Sequence, residues 1–116
     1  MPAAIHDTPT GLRLAAERAF LREANPWGFI LFGRNVETPA QLSALTAALR
    51  ASVGRDAPVL IDQEGGRVQR LGPPHWPKYP PGRAYGRLAA NDSLTKREIA
   101  RLGARLMAED LRRIGV

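Results

Sequence analysis

There is no cysteine in the 116 residues, and the only histidines are His6 and His75. Without thiols the chain has neither a disulfide framework nor a thiolate metal site, and two histidines do not build a metal centre by themselves, so no metal and no cofactor is expected. Long apolar runs are also missing. The longest, Trp27-Gly28-Phe29-Ile30-Leu31-Phe32, falls far short of the roughly 20 residues that cross a bilayer, so no membrane partner is expected. The start, MPAAIHDTPTG, has neither a basic head nor an apolar h-region, which argues against a secretory signal and leaves the cytoplasm as the expected compartment. Acidic residues are few: 11 Asp+Glu against 17 Lys+Arg give a net charge of +6.

A hydrophobic fraction of 44% with 24% charged residues belongs to a folded chain, and 116 residues make one ordinary domain at most. The basic excess raises the question of nucleic acid. Arg97, Arg101, Arg105 and Arg112 recur at helical spacing, which sets a basic ridge on one helix face. Such ridges are ordinarily solvated, and here no aromatics are interleaved with the cations as a single-strand binder requires. Nucleic acid is therefore not the expected partner, and a basic interaction module stays as the runner-up class.

Helix formers fill the segment from about Leu12 to Glu23, and Asn25-Pro26 stops it. The run GFILF at 28–32 reads as a short strand buried on both faces. Thr38-Pro39-Ala40-Gln41 then gives a capping box with proline at the first helical position. Leu42, Leu45 and Leu49 form the inward stripe of the helix, which Gly54 ends. Ala57–Ile61 supplies a second buried strand about one βα step after the first. Five prolines in LGPPHWPKYPPGRAYG exclude helix or central strand across that stretch and predict a long stiff loop. A last helix runs from about Ser93 to Arg113, with Ile99, Leu102 and Leu106 on its inward stripe and Gly115 as C-cap. Val116 falls where a third strand of the pattern would begin, so the repeat reads as broken off in mid-period.

Parallel βα repeats predict an α/β fold, doubly wound or barrel, with function at the carboxyl ends of the strands. Arg34-Asn35 and the stretch Asp62 to Arg70, DQEGGRVQR, share that rim. A dinucleotide site is disfavoured, because FGRNVETP has one glycine and DQEGGRV runs into the proline loop rather than a helix. Asp62 and Glu64 lie too close in one loop to flank a glycosidic bond as acid and nucleophile. One carboxylate, Asp62, is the better candidate for accepting hydroxyl hydrogen bonds, with Gly65-Gly66 allowing positive φ and the arginines offering donor forks. The alternative is a turn capped by Asp62 with Arg67 or Arg70 in a structural ion pair.

GFILFGRN, TPAQLSALTAALR and PVLIDQEGGRVQRL together resemble the N-terminal part of glycoside hydrolase family 3, specifically its bacterial β-N-acetylhexosaminidases, and MAEDLRRIGV resembles the helix leading to the next barrel strand. The resemblance implies that residues 1–116 are the N-terminal portion of a (β/α)8 TIM barrel, truncated before barrel closure. It implies an enzyme that removes terminal N-acetylglucosamine from peptidoglycan-derived muropeptides in the cytoplasm with retention. Asp62 and Arg70 match the family's sugar-binding positions, with Glu64 and Arg67 as loop braces and Arg34 and Asn35 as structural residues. The family's Lys-His-Phe-Pro-Gly-His and Ser-Asp-Asp segments, associated with its catalytic histidine and aspartate, do not occur, so no catalytic residue is expected in this chain. His75 stands in a different context and does not fill the gap, while Trp76 and Tyr79 are expected to pack the proline loop. The 116-residue chain is thus expected to be inactive alone, and a noncatalytic sugar-binding remnant is the other alternative. The sequence specifies no oligomeric state.

Overall fold

A computed structural model describes residues 3–4, 15–88 and 93–116. Three parallel strands form the sheet in the order β1 (Ala3–Ala4), β2 (Phe29–Leu31), β3 (Val59–Ile61), in the register Ala3↔Phe29, Phe29↔Val59 and Leu31↔Ile61. Both strands expected from sequence are present, and β1 is an addition that its two alanines gave no reason to expect. Gly28 leads into β2 because a Cβ there would lie 2.8 Å from the Pro58 carbonyl oxygen, which accepts a hydrogen bond from the Phe29 amide.

Helix α1 (Ala15–Ala24) fits the first expected helix, although residues 12–14 of that expectation lie outside the described residues. It lies against α2 (Pro39–Val53), whose start is the capping box read from sequence. The Gln41 amide donates to Thr38 Oγ1 at 3.1 Å, and Gln41 Oε1 accepts from the Glu37 and Thr38 amides. Gly54 closes the helix at φ 66°. Leu42, Leu45 and Leu49 are buried as expected, in one cluster with Leu21, Phe29, Leu31 and Val59. Each such leucine contributes about 1.5–3 kcal/mol by leaving water.

Burial on both strand faces does not hold. Phe29, Leu31 and Val59 enter the core, whereas Leu60, paired with the half-buried Ile30, is 43% exposed. Alternation along a strand sends these residues to the opposite face, which is only partly covered.

Two further departures follow β3. The stretch DQEGGRVQR is not a loop but an antiparallel hairpin of β4 (Gln63–Gly65) and β5 (Val68–Gln69). The proline stretch is irregular through Pro81 and then forms a short helix, α3 (Gly82–Gly86), because the last proline precedes it and leaves its interior amides free to bond.

Helix α4 (Ser93–Arg113) is where expected, but its stripe is not inward: Ile99, Leu102 and Leu106 are all exposed, the last at 61%. Periodicity gave the apolar face correctly without a surface to meet it. The helix packs on α3, with Gly103 against Tyr85 and Lys96 Nζ donating to the Gly86 carbonyl at 3.2 Å, and just past its C-terminal end Ile114 is buried with its carbonyl accepting from Thr46 Oγ1 at 2.8 Å. Gly115, at φ 89°, caps that end and packs against Thr46. The arginine ridge is solvated as expected, with Arg101 paired to Glu98 and Arg112 to Glu109. The hydrogen bond from Arg112 holds the Glu109 carboxyl below its ordinary value. The molecule measures 56 × 26 × 19 Å and its radius of gyration is 16.6 Å. A compact domain of about 100 residues has about 13 Å.

Candidate functional site

Parallel strands place their carboxyl ends on one edge, so the residues after β2 and β3 share it. After β2 comes a single 3-10 turn, Gly33–Asn35. Asn35 is fully buried, and its Oδ1 accepts from the Phe32 amide at 2.9 Å, while Arg34 lies 4.9 Å over the Phe32 ring. Both contacts fit the structural role expected of Arg34 and Asn35.

After β3, Asp62 leads into the hairpin that returns at Arg70. The two side chains meet there: Arg70 Nη2 donates to Asp62 Oδ2 at 3.5 Å, the outer limit of a hydrogen bond. Asp62 is 44% exposed and Arg70 32%, so this pair is open to solvent and is worth no more than about 1 kcal/mol. A loose, half-open pair is poorly suited to stabilising a fold and well suited to exchanging partners. The Asp62 carboxylate keeps acceptor capacity for hydroxyl groups, and Arg70 Nε is buried without a partner among the described residues.

The hairpin is set rigidly beneath this pair. Gly65 and Gly66 adopt φ 85° and 62°, in line with the sequence reading. A Cβ on Gly65 would strike the Pro80 carbonyl oxygen, and the Gly66 amide donates to the Tyr79 carbonyl at 2.9 Å. The glycines therefore serve close approach to the proline loop as well as the turn.

Glu64 and Arg67 are not the braces. Both are exposed and make no hydrogen bond or ion pair among the described residues, because they occupy the outer face of the tip. Bracing falls to two glutamines paired across the hairpin, Gln63 and Gln69. Gln63 Oε1 accepts from the Arg70 and Leu71 amides at 3.0 Å each, and its Nε2 donates to the Leu71 carbonyl at 2.9 Å. Gln69 Nε2 donates to the Leu71 and Pro77 carbonyls, and its Oε1 accepts from the Tyr79 amide. Their placement on either side of the glycine pair, Q-E-G-G-R-V-Q, was the available signal. Gln63 thus fixes the backbone of Arg70 itself.

Trp76 and Tyr79 are buried in the loop, as expected for packing residues, and His75 is exposed with its ring edge-on to Trp76. Tyr79 Oη hydrogen-bonds Asp110 of α4. Burial first, then that hydrogen bond and the Asp110 charge, push the phenol up to about 12. No group of three or more His, Cys, Asp or Glu able to hold a metal occurs among the described residues. No described helix is long and apolar enough to cross a membrane.

Parallel α/β folds are a class that places small-ligand sites at the carboxyl edge of the sheet, where this chain carries a carboxylate, a guanidinium and a pinned hairpin. Comparison with known proteins narrows the class. A beta-hexosaminidase of Bordetella avium (strain 197N) is 36% identical over 110 residues, covering 95% of this chain and 31% of that protein. A beta-hexosaminidase of Methylococcus capsulatus is 41% identical over 107 residues, covering 91% of this chain and 30% of that protein. NagZ from Neisseria gonorrhoeae, solved in complex with zinc ion, superposes with a TM-score of 0.75 at 26% identity, over 100% of this chain and 36% of that one. No family model matches the chain. The resemblance to bacterial β-N-acetylhexosaminidases of glycoside hydrolase family 3 is thus borne out along nearly the whole sequence. The chain spans about a third of the length of the relatives it matches.

Proposed function

We propose that residues 1–116 form part of the (β/α)8 barrel domain of a retaining β-N-acetylhexosaminidase and supply part of its sugar-binding edge. The substrate is terminal N-acetylglucosamine on peptidoglycan-derived muropeptides, and the compartment is the cytoplasm. Asp62 accepts hydrogen bonds from ring hydroxyls, and Arg70 donates to the same sugar. The observation that carries this reading is the open Asp62–Arg70 pair at the carboxyl edge of parallel strands, held from below by Gln63. Similarity to beta-hexosaminidases over 95% of the chain supports the choice of sugar.

No residue of this chain is assigned as acid/base or nucleophile, so binding and hydrolysis separate. Calorimetry of the 116-residue chain with N-acetylglucosamine is expected to give saturable heat that Asp62→Ala abolishes. The same chain should leave a chromogenic N-acetylglucosaminide uncleaved. Binding that survives Asp62→Ala would remove the assigned role, and turnover by the pure chain would show that its catalytic groups have been overlooked.

A further inference from the structure

The outer face of the hairpin carries a second constellation that the sugar reading leaves unused. A cavity of about 610 Å³ opens between the hairpin tip and the end of the proline loop with the start of α3, lined among others by Glu64, Gly66, Arg67, Lys78, Pro81 and Arg83. Its volume lies within the range of small-molecule sites, roughly 300–1,000 Å³. Three cationic residues and one carboxylic acid residue line it, and none of the four makes an ion pair or a side-chain hydrogen bond among the described residues. Elsewhere Arg50, Arg70, Arg101, Arg112 and Arg113 each have an acidic partner.

The two segments bearing these cations are held in fixed relation. The Gly66 amide bonds the Tyr79 carbonyl, Gln69 bonds the Tyr79 amide and the Pro77 carbonyl, and the positive-φ glycines fix the tip carrying Arg67. Like charges on a flexible loop would drift apart, whereas here Arg67 on one segment and Lys78 and Arg83 on the other share the walls of one cavity. The cost of ordering the backbone around a ligand is therefore already met in the free protein.

We infer that this cavity is a binding site for a small molecule bearing a multiply charged oxyanion, a phosphate or a polycarboxylate, with Arg67, Lys78 and Arg83 as its donors. Planar guanidinium forks and an ammonium match the oxygens of either group.

The test is an amide NMR titration of the isotope-labelled full chain with inorganic phosphate and, separately, with citrate, at constant ionic strength. Saturable shifts confined to Glu64–Val68 and Lys78–Arg83 are expected for at least one probe, and the probe that saturates identifies the oxyanion. Arg67→Gln and Lys78→Gln, on separate segments and both exposed, should each weaken binding about tenfold, the worth of one charge-assisted hydrogen bond. Arg101→Gln, a control of equal charge change on α4, should leave it unchanged. No saturation with either probe, shifts spread over the arginines of α4, or equal weakening by Arg101→Gln would overturn the proposal.

Discussion

Replacing Gly65 by alanine tests whether the hairpin is held by close approach to the proline loop or only by its turn. The native φ of 85° costs an L-residue roughly 1–2 kcal/mol. The new methyl would also meet the Pro80 carbonyl oxygen, with that residue's carbonyl carbon at 3.1 Å and the Tyr79 carbonyl oxygen at 3.2 Å. All three are backbone atoms, so relief requires the loop to shift, an overpacking cost of about 1–3 kcal/mol. The sum is about 2–5 kcal/mol. Gly54 provides the internal standard: its φ of 66° carries the same conformational term, but nothing lies within 4 Å of a Cβ there. Gly54→Ala should therefore cost only about 1–2 kcal/mol. Urea denaturation of the two variants beside the parent measures the difference at unchanged m-value. Sugar affinity should fall with Gly65→Ala and not with Gly54→Ala, because only the former displaces the hairpin whose return strand leads into Arg70. Equal destabilisation by the two variants would refute the close-approach argument.

Leu49, fully buried between α2 and the sheet, should cost about 2–5 kcal/mol as Leu49→Ala, read as a lower urea midpoint, whereas the same change at the exposed Leu106 should stay within about 0.5 kcal/mol. Tyr79 predicts an alkaline effect. Because the folded phenol sits near 12 against an ordinary 10.0, the native state keeps the proton that the unfolded chain loses. This contribution is complete below pH 10 and is lost as pH climbs toward 12. The stability advantage of the parent over Tyr79→Phe, measured by urea midpoints across that window, should accordingly shrink, and an advantage that does not change with pH would remove the assignment.

What could be read in advance was local chemistry. Thr38 and Gln41 are three residues apart, so their reciprocal capping follows from spacing alone, and Gly54 and Gly115 end their helices for equally local reasons. The runs GFILF and PVLI gave the two strands, and parallel pairing put Asp62 at the edge where it stands. The hairpin was not read, because its strands are only three and two residues long and show no apolar alternation. Glu64 and Arg67 suggested braces by their charge. The uncharged Gln63 and Gln69 do that work, through bonds to Leu71, Pro77 and Tyr79 that only the folded return of the chain creates. The stripe on α4 failed for a related reason. A period reports which residues share a face, and what that face meets is a property of the surroundings.

Unequal anchoring along α4 makes its resistance to opening uneven from end to end. Around Leu111 and Ile114 the helix shares the core and the Thr46 hydrogen bond, so releasing it there means opening the core itself. Toward its N-terminal half α4 rests on the one-turn helix α3, through Gly103 against Tyr85 and Lys96 on the Gly86 carbonyl, and none of these residues belongs to the core, so opening there leaves the core closed. The helix is therefore a graded element, firm where its C-terminal end enters the core and easier to open where it meets only α3, so its two ends need not open together.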